Sequence, residues 1–345
     1  MNNSAIKYFE AAEKQRKSAQ YAKAVASYIT ALDIFKEESD LTGILNCTIA
    51  IADTLRAKGD FSLAKVFYEE GLGIAEALDD RASEADAMTG LGLSIRALGD
   101  WKEAMRLIDK ANRIYGSMDD RYGEAFSIWA KAGTYRIKGD VKKAVETFHD
   151  ALVRFRKLKD KSGVAYSYCG LGGSSRVSNN FSDSGKYYTL ANKNFQELND
   201  SFGMAYSYCG LGNVQRMHGN YKEALAYFKK AGVLYKKIGD RVSYAYTLWS
   251  VGVSNIMLGD FEKAKKSFDE SDSFFIETKD PRGRIYCMLG FSELDYLSGR
   301  KKKAEATASK AIKLAEKYQF KLEMGYAKRL SKAIASGNVF PLNLP

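Results

Sequence analysis

Histidine, cysteine and proline are nearly absent from this sequence, and each scarcity removes a class of explanation. Only His149 and His218 occur among 345 residues, too few for a histidine-rich metal site. The cysteines are Cys47, Cys169, Cys209 and Cys287. None forms a Cys-x-x-Cys pair, so neither a zinc site nor a thioredoxin-like motif is indicated, and buried free thiols are expected. No Ser/His/Asp or Cys/His set stands out, and the carboxylates follow the turns rather than pairing on their own. The expectation is a protein that is not an enzyme, with no catalytic residue, no metal and no cofactor. Proline is limited to Pro281, Pro341 and Pro345, which leaves long stretches free for continuous helix, since proline removes a helical hydrogen bond and clashes with the preceding turn. No run approaches the ~18 apolar residues needed to cross a bilayer. The polar segment from Met1 to Glu10 lacks the apolar core of a signal peptide, so a cytoplasmic location is expected.

What is present is a repeat. Aspartate recurs every forty residues at Asp40, Asp80, Asp120, Asp160, Asp200, Asp240 and Asp280. Midway between them lie Gly59-Asp60, Gly99-Asp100, Gly139-Asp140, Asn179-Asn180, Gly219-Asn220, Gly259-Asp260 and Gly299-Arg300. Glycine or asparagine there can take positive φ and end one helix; aspartate can accept from the free N–H groups that open the next. Each unit thus holds two helical segments, in which apolar residues recur at spacings of three and four. In the second segment small residues stand at Ala24, Ala64, Ala104, Ala144, Ala224, Ala264 and Ala304. A second small column starts at Ala31 and Gly71, and a large column runs between the two: Tyr28, Tyr68, Ile108, Phe148, Tyr188, Phe228 and Phe268. In the first segment the small column is Ala12, Ala52, Gly92, Ala132, Gly172, Gly212 and Gly252. Small residues let helices approach and large ones fill the gap beside them.

The pattern resembles the tetratricopeptide repeat family in its long form of about forty residues per unit, as in Pins-type scaffolds, kinesin light chains and the repeat domains of bacterial regulators. The match is clearest where Leu211-Gly212, Gly219-Asn220-Tyr221, Ala224, Phe228 and Ala231 fall at the family's spacing. It covers residues 2–318 and implies an all-α, right-handed α-solenoid. About eight helix pairs begin near residues 2, 41, 81, 121, 161, 201, 241 and 281. A capping helix over 320–336 closes the last apolar face, so that 1–336 form one solenoid domain, and 337–345 form a tail. The last pair departs from the pattern at Ser292 and Ala308. The fifth is poor in helix formers around Ser174 to Gly185, with Ser184 in place of alanine, and is expected to be a softer joint. Gly170-Leu-Gly172-Gly173 and Gly210-Leu-Gly212 invite a phosphate-loop reading, but they recur at one register inside a predicted helix, where close packing explains them.

Two columns are candidates for function. Arg16, Arg56, Arg96, Arg136, Arg176 and Arg216 recur four residues after the first-segment small position, a register that the family places on its inner wall; the column ends at Ile256 and Tyr296. Guanidinium groups there either grip a carboxylate or phosphate, or brace the next turn. The second column is Phe126, Tyr166, Tyr206, Tyr246 and Tyr286, flanked by Trp129, Cys169, Cys209, Trp249 and Leu289; these are binding anchors or inter-repeat packing. Asp53, Gly133, Asn213 and Glu293 vary at a third inner-wall register, and Asn213 matches the family's backbone-gripping asparagine. The net charge is +11, and Arg300 to Lys332 carries eleven Lys/Arg against three Glu. The leading expectation is a scaffold or adaptor that holds an acidic extended or helical segment of a partner protein between Arg56 and Arg216. A regulatory sensor for a peptide or protein, with its output in trans, is the first alternative. A nucleic-acid-binding solenoid is the second, disfavoured because the positive charge is concentrated at one end. Self-association through the tail around Phe340 and Leu342 is a further expectation.

Overall fold

The computed structural model describes residues 3–337 and 341–344. Among the described residues seventeen α-helices follow one another without a strand. They are α1 Asn3–Lys17, α2 Tyr21–Glu37, α3 Leu41–Lys58, α4 Phe61–Ala77, α5 Arg81–Ala97, α6 Trp101–Ser117, α7 Arg121–Lys138, α8 Val141–Lys157 and α9 Lys161–Val177. There follow α10 Phe181–Leu198, α11 Ser201–Met217, α12 Tyr221–Ile238, α13 Arg241–Met257, α14 Phe261–Glu277, α15 Pro281–Leu297, α16 Lys301–Tyr318 and α17 Lys321–Ser336. The fold is all-α: eight helix pairs and a final helix. No helix among the described residues is long and apolar enough to cross a membrane.

The turns are built as the forty-residue register requires. Asp40, Asp80, Asp200 and Asp280 each accept from the backbone N–H three residues on, at 2.8–3.1 Å. Asp60, Asp100, Asp140 and Asp260 do the same for the second helices. Left-handed residues end helices at both turns of the unit, and not only where glycine stands. Ser39, Asp79, Asp119, Lys159 and Lys279 take φ of +53° to +57°, a strain that non-glycine residues accept only where the surrounding structure imposes it.

The helices group into two compact units: residues 1–131 with 237–240, and residues 132–236 with 241–345. Helices adjacent in the chain pack together, from α1 through α6 in the first unit and from α8 through α11 and α13 through α17 in the second, and first helices of successive pairs also touch: α3 with α5 in the first unit; α9 with α11, α11 with α13, α13 with α15 and α15 with α17 in the second. First helices therefore make an inner layer within each unit.

The large column holds this layer together. Tyr188 lies between α9 and α11: a Cβ on Gly172 would come within 2.9 Å of its ring, and one on Gly210 would overlap the ring outright. Phe268 sits in the same way between Gly252 and Gly290, and Phe228 against Gly212. Phe35, Tyr115, Phe155, Phe195 and Phe275 occupy a second set of notches, opposite Gly43, Gly123, Gly163, Gly203 and Gly283. The Gly-Leu-Gly motifs are thus helix-packing notches. The fifth pair is helical throughout; its Ser184 is buried and donates across the pair to the Gly172 carbonyl at 2.8 Å. Ser292 makes the matching bond to the Ala304 carbonyl at 2.8 Å. The last helix is tied in by Arg282, whose Nε reaches Glu323 at 2.6 Å.

Gly210→Ala should destabilise the chain by about 1–3 kcal/mol through overpacking against Tyr188, although alanine is the better helix former. Gly73→Ala, where nothing lies within 4 Å of the new methyl, should be neutral or stabilising by up to ~1 kcal/mol. Urea denaturation of both variants checks the contrast.

Candidate functional site

The arginine column lies on first helices and divides by what its neighbours offer. In the first unit Arg56 is enclosed in a local triad. Its Nε donates to the Tyr68 hydroxyl at 2.8 Å and its Nη2 to Asp53 at 3.0 Å, while Tyr68 donates to Asp53 at 2.6 Å. Arg16 repeats the arrangement with Glu13, at 2.8 Å, and with Tyr28, which also bonds Glu13. The triad requires an acid three residues before the arginine and a tyrosine twelve after it. At Arg96 those positions are Leu93 and Ile108, and the guanidinium instead donates to the Ala130 carbonyl at 3.0 Å. A cavity of about 150 Å³ on this inner layer is lined by Glu13, Asp53 and Asp86 beside Arg16, so the first unit's wall is rich in carboxylate.

The second unit inverts this balance. The residue three before is Gly133 for Arg136, Gly173 for Arg176 and Asn213 for Arg216; no acid stands in the bracing position. Arg136 lies 6.0 Å from the centre of the Phe148 ring, and a Cβ on Gly173 would overlap its guanidinium. Arg176 has a buried Nε without a hydrogen-bond partner. Arg216 is 0 % exposed. Its Nε and Nη2 bond Asn213 Oδ1 at 3.2 and 3.1 Å, and Trp249 lies 5.6 Å away. Burial, with Arg176 nearby, pushes its pKa down to about 9. The guanidinium stays protonated at neutral pH, in surroundings that would be relieved by negative charge.

The aromatic column is largely committed internally. Tyr166 donates to Asp200 at 2.7 Å and Tyr246 to Asp280 at 2.9 Å. Each thereby holds the aspartate that caps the first helix of the next pair. Tyr206 is half-buried and stacks on Phe202 at 6.3 Å. Trp129 is half-buried and stacks on Phe126 at 5.9 Å. Trp249 is buried and its indole N–H donates to the Tyr286 carbonyl at 2.8 Å. Asn213 spends its amide within the chain: Nδ2 donates to the Cys209 carbonyl at 3.1 Å, and Oδ1 accepts from Ser250 at 3.2 Å as well as from Arg216.

A second group on this wall comes from beyond the repeats. The tail residues Pro341–Leu344 lie on the second unit. Arg216 Nη1 donates to the Asn343 side-chain oxygen, and Arg216 Nη2 to the Leu344 carbonyl at 2.7 Å. Asn343 Nδ2 returns a bond to the Arg216 carbonyl at 3.0 Å. The Leu342 N–H donates to Glu293, a buried carboxylate whose pKa burial pushes up to about 7, against the Leu342 bond and the Arg216 charge. Leu344 is buried. Of the two tail residues expected to mediate self-association, Leu342 docks on its own chain here and Phe340 lies outside the described residues. The only sequence signals for this docking were the polar Asn213 and Glu293 at a register otherwise mixed, and a tail bounded by prolines.

The thiols are inert: burial pushes Cys47 and Cys287 up to about 12. Among the described residues no group of three or more His, Cys, Asp or Glu is placed to hold a metal ion.

The model of the soluble NSF attachment protein family matches residues 99–340, more than half of the chain. The chain belongs to the soluble NSF attachment protein family. Among solved structures it is similar to a Rap protein complexed with Competence and Sporulation Factor, at 15% identity and a TM-score of 0.63 over 97% of this chain and 98% of that one. It is also similar to the Rap conjugation gene regulator of plasmid pLS20 in complex with the Phr* peptide, at 17% identity and a TM-score of 0.68 over 82% and 77%. NprR with its cognate peptide NprX gives 15% identity and a TM-score of 0.63 over 97% and 98%. These likenesses establish a shared tetratricopeptide-like helical-repeat fold. Among curated proteins none matches the sequence.

For this family member, Arg56→Met should cost about 1–3 kcal/mol, because it leaves Asp53 and Tyr68 without their common partner. Arg176→Met should change stability by less than about 0.5 kcal/mol or raise it, since its buried Nε has no bond to lose. Thermal melts of the two variants side by side check the difference.

Proposed function

We propose that this chain is a non-catalytic binding scaffold whose second unit captures an acidic, extended segment of a partner protein or peptide. The observation that carries the reading is the loss of local counter-charge along one register. Arg136, Arg176 and Arg216 stand on the inner layer without the acid that braces Arg16 and Arg56. A partner carboxylate would supply it by charge-assisted, paired hydrogen bonds. Arg56 and Arg96 then belong to the framework. Tyr206, half-buried, offers apolar area on the same wall, Trp249 packs beneath Arg216 as part of the framework, and Asn213 orients Arg216 rather than gripping a ligand itself. The similar structures include complexes with Competence and Sporulation Factor, with the Phr* peptide and with NprX, which agrees with a peptide-sized ligand. We read the forty-residue unit as the long form of the tetratricopeptide repeat, and the whole chain as one array.

The sensor reading uses the same site and differs in its consequence: a ligand that draws the second unit together passes a signal to an output in trans. Solution scattering with and without bound peptide separates the two, since a scaffold keeps its radius of gyration.

Phage selection of random decapeptides on the full chain should enrich sequences carrying Asp or Glu with apolar neighbours. The affinity of an enriched peptide should fall with salt and drop at least ~tenfold in Arg136→Glu/Arg176→Glu. Equal binding by that double variant, folded by circular dichroism, would refute the reading.

A further inference from the structure

The tail makes the contacts a bound peptide would make. Its backbone is read at two points, the Leu342 N–H by Glu293 and the Leu344 carbonyl by Arg216. One side chain is read in both directions: the Asn343 amide accepts from the Arg216 guanidinium and donates to the Arg216 carbonyl. One side chain, Leu344, is buried. A carboxamide suits that pairing because its oxygen accepts and its nitrogen donates at the same time, whereas a carboxylate has no hydrogen to give and would face the carbonyl. Asn343 has φ of +40°, in the left-handed region that asparagine tolerates better than most residues. Proline on either side, at 341 and 345, favours an extended course for the residue before it and lowers the entropy lost on docking.

Nothing else in the fold calls for this arrangement. Arg216, Asn213 and Glu293 lie on first helices at the same registers as Arg136 and Arg176, and the buried Nε of Arg176 has no hydrogen-bond partner. The tail brings no acid to it, so the docked segment fills the backbone-reading part of the site and leaves the charge-reading part open.

We propose that residues 342–344 are an internal occupant of the peptide site, and that the partner competes with them as an extended segment bearing a carboxamide followed by an apolar residue, with a carboxylate that reaches Arg176. This rests on the peptide-binding reading above and adds the order of events: the tail must leave before the partner binds. Tethered a few residues from its site, the tail has an effective concentration on the order of millimolar. An intrinsic Kd of ~100 µM would then keep it docked about nine-tenths of the time and weaken a competitor about tenfold.

The test uses the full chain and two labelled probes: the synthetic octapeptide of residues 338–345, and an acidic peptide from the selection above. Asn343→Ala/Leu344→Lys undocks the tail without touching a repeat. Fluorescence polarisation should show the octapeptide binding the undocked variant with Kd near ~100 µM and wild type at least ~tenfold more weakly. Adding Arg216→Met to the undocked variant should abolish that binding, and Asn213→Ala, a second route to a mispositioned Arg216, should weaken it. The acidic peptide should bind the undocked variant about tenfold more tightly than wild type. Octapeptide binding that is absent in the undocked variant, or equal in both proteins, overturns internal occupancy. Octapeptide binding as expected, with no acidic peptide bound by either protein, leaves the tail as occupant and overturns the acidic-ligand reading instead.

Discussion

The structure depends on one steric fit: a large side chain of a second helix seated in notches cut into first helices, repeated along the array up to the last pair, where Ala308 replaces it. Tyr188 between Gly172 and Gly210, and Phe268 between Gly252 and Gly290, show the fit in full. Because the ring touches its own pair and the next one, it fixes the spacing inside a pair and the step between pairs together. That is why the period tolerates no insertion and why glycine persists inside helices, where it costs about 0.5–1 kcal/mol relative to alanine. The helix gives up local stability so that the ring can be buried, and burial of an aromatic side chain returns roughly 1.5–3 kcal/mol.

Within so regular a frame, departures carry the information. The arginine four residues past the notch is the same residue type six times, yet its chemistry changes along the chain. With an acid at minus three and a tyrosine at plus twelve it is a brace bonded within its own pair. With glycine or asparagine at minus three that local acid is gone. On the proposed reading, exchanging one acid for one small residue turns a structural position into a binding one without disturbing the repeat. Gly173 does so twice, since it withholds an acid from Arg176 and opens the space that the Arg136 guanidinium occupies. Buried charge kept without a local partner is costly, and such cost is commonly accepted where binding repays it.

The fold was legible because it is written by repetition. Helices, turns, caps and the notch-filling column all follow from residues that recur at one interval. The left-handed turns at Ser39 and Lys159 were not legible, because the conformation is imposed by the packed helices on either side and those residues state no preference for it. The site was legible only in part. The arginine register could be read, but whether each arginine braces or waits depends on two neighbours at different distances, on different helices. The tyrosine column gave no hint that Tyr166 and Tyr246 would hold the caps of the following pair, since a hydroxyl's partner thirty-four residues on lies outside any local pattern. The docking of the tail rests on Arg216, more than a hundred residues away, and no periodicity reports it.

The tail also bears on why the column stops. After Arg216 the register passes to Ile256 and Tyr296, and the inner wall of the last pairs is furnished by Trp249, Tyr286 and Glu293 instead. Arg216 is the last cation of the column, and the tail, after Leu342 meets Glu293, ends on it through Asn343 and Leu344. A ligand that used only the arginines would leave the buried Glu293 without the N–H it now accepts from; one that used only the backbone contacts would leave the Nε of Arg176 without a partner. In the proposed site a segment that presents an N–H to Glu293, a carbonyl to Arg216 and a carboxylate to Arg176 would answer all three groups. The chain's own tail presents the first two and not the third, which is why we propose that it can hold the site and still yield it.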